Sequence, residues 1–384
     1  MANLLSAALR TVALVLPAHA QGATWIVDAN NGPGTHFTSL SAAVFTSAPG
    51  DLLLVRSGNY QPVFLDRPLF IVADSGAIVT GSGGYGPGFM VGAMPAGSTT
   101  AIVGLTLAAT SLTHESLRVM AGPGTVILDR IHSTEYSTLL YSDDVRCSRC
   151  EFDRGLTTNV STAALERCRI GPHPWDIDPA SLRATGCYLR LERCVVRGRD
   201  PQPYFGTTLP ATPAIELSAT TLVLGDDGSG AIAAGAVGPA AAIVGSGVVE
   251  VDPHVTLLPS GGAMSTQGVS VTARVRPSLA VDAGPPGGAV ALDLFGPNGD
   301  GYLEAVGIAV PPTVSPAVAD RLWLQPMLLW SIGTFGPSGR ATAQVPLPNL
   351  PIIVGVSFTW QAAAFGAVSG LAVSNPVSYV HPAN

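Results

Sequence analysis

The feature that most constrains this chain is a short unit that recurs four times at unequal intervals. Asp129-Arg130-Ile131, Ser148-Arg149-Cys150, Glu166-Arg167-Cys168 and Glu192-Arg193-Cys194 each set an Arg before an apolar residue, and the Arg positions stand 19, 18 and 26 residues apart. Leu128, Val145, Leu165 and Leu191 precede the units, Phe152, Ile170 and Val196 follow them, and Gly155, Gly171 and Gly198 supply turns. A propeller blade needs about 40–45 residues per repeat, whereas uneven intervals near ~20 fit a solenoid whose strands keep register while its loops vary. Equivalent residues then stack roughly 4.8 Å apart on successive coils. Ile131, Cys150, Cys168 and Cys194 are predicted to form one inward column. Arg130, Arg149, Arg167 and Arg193 are predicted to form one outward column, with Asp129, Glu166 and Glu192 beside it.

The flanking sequence extends this pattern. Residues 24–28 read as a short strand, and Leu40, Ala43 and Val44 recur at helical spacing behind Thr38 or Ser39 as N-cap. Pro49-Gly50 ends that helix, and residues 51–56, 62–66 and 69–73 read as short strands. A brief helix in this place plugs the open end of the first coil, which would otherwise expose an unpaired edge. Residues 200–212 read as a surface loop, and strand patterns resume over 214–224 and 241–251. At ~22 residues per coil, residues 51–258 hold roughly nine coils. From near Gly262 the repeat is lost and charge becomes sparse. Strands are predicted there at 269–275, 288–295, 322–330, 341–345 and 352–361, the turn-separated pattern of a β-sandwich. The expected division is a leader over 1–20, a right-handed parallel β-helix over 21–260 and a small sandwich over 268–384.

The opening stretch resembles pectin-lyase-like β-helix proteins, which include pectin methylesterases and many exported bacterial proteins. The marks are the capping helix, Ala48-Pro49-Gly50-Asp51, the apolar strand after it, and Gly58-Asn59-Tyr60. This resemblance implies a fold and no activity. Residues 333–375 resemble a C-terminal module of planctomycete-type exported proteins, through the G-x-A-x-x-x-x-P-x-P-N pattern from Gly339 to Asn349, Val354 to Gln361, and Ser374-Asn375. That module, too, implies no activity.

The N-terminus has the parts of a signal peptide: Arg10, an apolar run from Val12 to Leu16, and the A-x-A site Ala18-His19-Ala20. Export to the medium or the cell surface is therefore expected, with no membrane span after cleavage. Five Cys between residues 147 and 194 lie too close together to brace the whole chain, and they read by default as small buried hydrophobes. An odd number leaves at least one thiol unpaired within the monomer. A net charge of −7 offers nucleic acid no general attraction. All nineteen basic residues are Arg, and twelve of them fall between residues 118 and 199.

Planar guanidinium groups in a row bind carboxylates or sulfates in a bidentate manner. The reading is thus a non-catalytic adhesion or binding protein for extracellular or cell-wall polysaccharide, with Arg130, Arg149, Arg167 and Arg193 as ligand-binding residues. The alternative is a polysaccharide lyase or glycoside hydrolase, which needs converging acids. Its candidates are Asp143, Asp144, Asp153, Asp226 and Asp227, without the accompanying motifs of polygalacturonases, pectate lyases or pectin methylesterases. Gly225-Asp226-Asp227-Gly228 reads first as a polar turn. No catalytic residue and no metal ligand is assigned, and calcium at the surface acids is the one cofactor left open. Asn298-Gly299-Asp300-Gly301 reads as a turn, and the His residues show no metal spacing along the chain.

Overall fold

The computed structural model describes residues 22–81, 86–109, 115–172, 180–204, 207–283, 288–314, 321–346 and 356–380. The expected leader, His114, His173 and part of the C-terminal motif lie outside them. The N-terminal two-thirds is a right-handed parallel β-helix. Among the described residues its strands form an 18-stranded sheet, in which two faces merge through the long strands Ile215–Gly225 and Ile243–Val251, and a 9-stranded sheet on a third face. The alternation of the sequence sets the register. On the first face Leu128 pairs with Cys147, Cys147 with Leu165, Leu165 with Leu191 and Leu191 with Leu224. All are buried in one continuous core. Each fully buried Leu contributes roughly 1.5–3 kcal/mol relative to exposure.

The repeated unit is a corner. Arg130, Arg149, Arg167 and Arg193 all take left-handed backbone angles, with φ between 50° and 54°. Gly104 holds the same conformation at the end of its own first-face strand. A non-glycine residue there costs on the order of 1–3 kcal/mol. The corner amides are satisfied across coils: Arg149 N donates to Glu166 O at 2.8 Å and Arg167 N to Glu192 O at 2.9 Å. The residue after each Arg turns inward, so Ile131, Cys150, Cys168 and Cys194 share the core as expected. All five cysteines are buried free thiols. The thiol of Cys150 donates to Leu128 O, and that of Cys194 to Leu165 O, both at 3.4 Å.

Helix α1 (Leu40–Thr46) buries Leu40, Ala43 and Val44 against the first coils, and Ser39 caps it by accepting from Ala42 N at 3.3 Å. The far end differs from expectation. Strand Ser270–Ala273 pairs in parallel with Ile243–Val251, so the β-helix runs past residue 260 and takes the strand that was assigned to the second domain. The stretch 200–212 holds an antiparallel hairpin, Gln202–Tyr204 with Thr207–Leu209, where a plain loop was expected.

Two antiparallel sheets follow. Ala289–Phe295 lies between Ser278–Ala283 and Arg340–Pro346 in one. Gly301–Val314 lies between Arg321–Thr334 and Ser357–Gly366 in the other. Leu292 and Val345 from the first share a core with Val306, Trp360 and Tyr379 from the second, which is the packing of a sandwich. This domain rests on the outer side of the first helix face. Val380 and Ala309 pack on Ile127, Ala101 and Val103. Among the described residues no helix is long and apolar enough to cross a membrane.

Candidate functional site

The docking of the two domains decides where each charged residue can act. On the first face, outward residues Ile127, Arg146, Ala164, Arg190 and Val223 stand in one register column, and all are buried. Arg146 pairs with Asp144 at 2.8 Å. It also donates to Val310 O at 2.7 Å, to Trp323 O at 2.9 Å and to Thr359 Oγ1 at 3.2 Å, and it faces the Trp323 ring. Arg190 pairs with Glu192 at 3.2 Å and donates to Val373 O at 3.2 Å and Pro277 O at 3.3 Å. These guanidiniums satisfy carbonyls of the second domain that burial would otherwise strand.

The corner arginines form the expected row but do not stand free. Arg130 and Arg149 both pair with Asp129, at 3.3 and 2.8 Å. Arg167 bonds Asp282 of the sandwich and lies 3.4 Å from Glu166. Arg193 is only 1% exposed and donates to Glu166 Oε1 at 2.7 Å and Leu279 O at 2.6 Å. Burial pushes the Glu166 carboxyl up to about 7 against the opposing charges of Arg193 and Arg167.

The acidic candidates scatter. Asp144 lies buried under Arg146, and Asp143 accepts from Ser161 Oγ at 3.2 Å at the surface. Asp153 faces His132 on the third face at 2.9 Å. Asp226 holds the polar turn, its Oδ1 accepting from Asp227 N, Ser229 N and Gly230 N at 2.8–3.1 Å. Asp300 likewise closes a turn, accepting from Ser369 N at 2.8 Å.

Three of the candidates do meet. Arg167, Arg193 and Asp227 line a cleft of about 520 Å³ between the domains, opposite Asp282, Asp293, Phe295 and Arg340. Three guanidiniums thus face three carboxylates. Arg193 Nη1 lies 3.9 Å from Asp227 Oδ2 and, like its Nε, has no hydrogen-bond partner. Arg340 pairs with Asp293 at 2.8 Å and lies over the Phe295 ring. The hydrogen bond from Arg167 holds the Asp282 carboxyl below its ordinary value. Burial pushes Asp227 up, but hydrogen bonding with Ser229 and the Arg193 charge outweigh it, and the net direction is down. Both therefore stay ionised, as acceptors for hydroxyl or amide donors. The sandwich half of this cleft has no signal in the sequence, because Asp282 and Asp293 carry no motif and Arg340 stands at a variable position of one.

No family model matches the chain, and no curated protein matches it. Among solved structures it is similar to pectin methylesterase PemA from Erwinia chrysanthemi, at 9% identity and a TM-score of 0.30, over 60% of this chain and 79% of that one. At that identity the likeness assigns no residue of the enzyme to this chain.

Proposed function

We propose that this is an exported, non-catalytic β-helix protein that binds extracellular saccharide in the cleft between its two domains. Export rests on the leader-like residues Val12–Leu16 and Ala18-His19-Ala20. The observation that carries the reading is the composition of the cleft. Planar carboxylates and guanidiniums such as Asp227, Arg167 and Arg340 can each engage neighbouring hydroxyls in pairs, and Phe295 offers an apolar surface beside them. With charges balanced at three against three, the cleft suits a neutral polyhydroxylated ligand better than the acidic polymer that the row of Arg alone implies.

Catalysis by paired acids is disfavoured on the same geometry. A glycosidase needs one carboxyl that carries a proton. Asp227 and Asp282 are both held ionised, and Asp293 is paired with Arg340 at 2.8 Å. Glu166, whose carboxyl is raised to about 7, is buried beneath Arg193 and does not line the cleft. The test is a glycan array of neutral and acidic polysaccharides, probed with the chain from Gln21 onward and with an Asp227→Asn/Arg340→Ala variant. Binding of neutral glycans that falls roughly tenfold in the variant is expected, equivalent to about 1.4 kcal/mol. Equal binding by both proteins removes the cleft. Release of reducing or unsaturated ends by the unaltered protein overturns the non-catalytic reading.

A further inference from the structure

We propose that the third face of the β-helix carries a binding site for a divalent transition-metal ion, built from His132, Glu151 and Asp153. One ligand atom from each of the three lies within 4.8 Å of the others. The fold makes this meeting. His132 pairs in register with Glu151 on the next coil, and Asp153 follows the same short strand. Along the chain His132 stands 21 residues from Asp153, yet its Nε2 lies 2.9 Å from Asp153 Oδ2.

The donor set selects the kind of ion. One imidazole nitrogen and two carboxylate oxygens suit zinc and its neighbours, whereas calcium takes six to eight oxygens. The side chains of His132 and Asp153 are each 42% exposed, and that of Glu151 is 38% exposed, so water fills the remaining positions around the ion. Arg169 on the following coil donates to Glu151 Oε1 at 2.9 Å, which fixes that carboxylate and leaves its second oxygen to the ion. The backbone beneath is held by Glu151 N donating to Ile131 O at 2.8 Å and Asp153 N to Ser133 O at 3.0 Å. An ion held at roughly 2.0–2.2 Å draws these atoms closer together than 4.8 Å, a movement asked of three side chains that are each more than a third exposed. The ion clips two successive coils together from outside. This site is remote in composition from the cleft and does not depend on saccharide binding there.

The test is calorimetric titration of tag-free protein, stripped with a chelator, against Zn²⁺ and separately against Ca²⁺, with thermal unfolding as a second readout. One Zn²⁺ per chain is expected at these residues, with a rise in melting temperature that Ca²⁺ does not give. His132→Ala and Asp153→Asn should each weaken it by roughly 100-fold or more, beyond the 10–100-fold that loss of an outer partner costs. His254→Ala, whose ring pairs instead with Asp252, should leave it unchanged. Both ligand variants change exposed side chains, and their metal-free melting temperature reports that they fold. Absence of Zn²⁺ binding, binding that both variants retain, or Ca²⁺ binding as tightly at the same residues would each overturn the site.

Discussion

Replacing Arg146 by Ala removes a guanidinium that stitches the two domains together. The side chain is 3% exposed, its partner Asp144 is fully buried, and it donates to two carbonyls and a hydroxyl of the sandwich. Breaking a buried pair from one side costs about 3–5 kcal/mol, because the remaining charge is left uncompensated. Burial already pushes the Asp144 carboxyl up, with Arg146 as the main opposing charge. Arg146→Ala therefore leaves Asp144 protonated or the interface open. A loss of that size raises the undocked fraction by roughly two to three and a half orders of magnitude. Amide exchange reads it directly. Faster exchange is expected in Val377–Val380, whose Val380 packs on Ile127, and in Gly122–Asp129, while the inner core exchanges as before. The double variant Asp144→Leu/Arg146→Met, apolar on both sides, should regain much of the docking. Exchange in Arg146→Ala equal to that of the unaltered protein would refute the reasoning. So would a double variant as loose as the single one.

Two further outcomes follow from the cores. Cys168→Val should melt close to the unaltered protein, because the thiol packs among apolar neighbours, whereas Cys168→Asp should unfold several coils; equal melting of the Asp variant would remove the inward column. Glu304 is 2% exposed within the sandwich, and burial pushes its carboxyl from 4.5 to about 7 despite a hydrogen bond from Ser331. A raised carboxyl binds its proton more tightly in the folded chain, so stability falls as pH rises from 4.5 to about 7, by about 3 kcal/mol at most. Glu304→Gln should flatten that slope in denaturant titrations between pH 4 and 8, and an unchanged slope would contradict the assignment.

The β-helix was legible because its signal is local and repeated. Leu128, Leu165 and Leu191 sit at one phase of the unit and Ile131, Cys168 and Cys194 at another, and parallel stacking turns each phase into a column. The capping helix was legible for the same reason, through Ser39 and the spacing of Leu40, Ala43 and Val44. The strand Ser270–Ala273 was misplaced because nothing in its residues distinguishes a last coil from a first sandwich strand; only its partner does. Strand Gly301–Val314 is absent from the predicted strands, because the sequence there announces only the turn Asn298-Gly299-Asp300-Gly301 from which it starts.

The site was half legible, and the reason lies in what a column can say. The Arg row was found, but its exposure was inferred from one coil's geometry, and a second domain sits on top of it. The outward column through Arg146 and Arg190 also holds Ile127, Ala164 and Val223, and all five are buried although they point away from the coil's own core. Such a column describes a face covered by protein, whose guanidiniums are there for carbonyls rather than for a ligand. The same reasoning moves the candidate ligand away from the row and toward its margin, where Arg167 and Asp227 still reach the cleft and Asp282 and Arg340 supply the opposite wall. The third face shows the converse. The outward column there runs through Thr106, His132, Glu151, Arg169 and Val195, and Val195 is 40% exposed, so no second layer covers His132, Glu151 and Asp153 and chemistry with small ions is open to them.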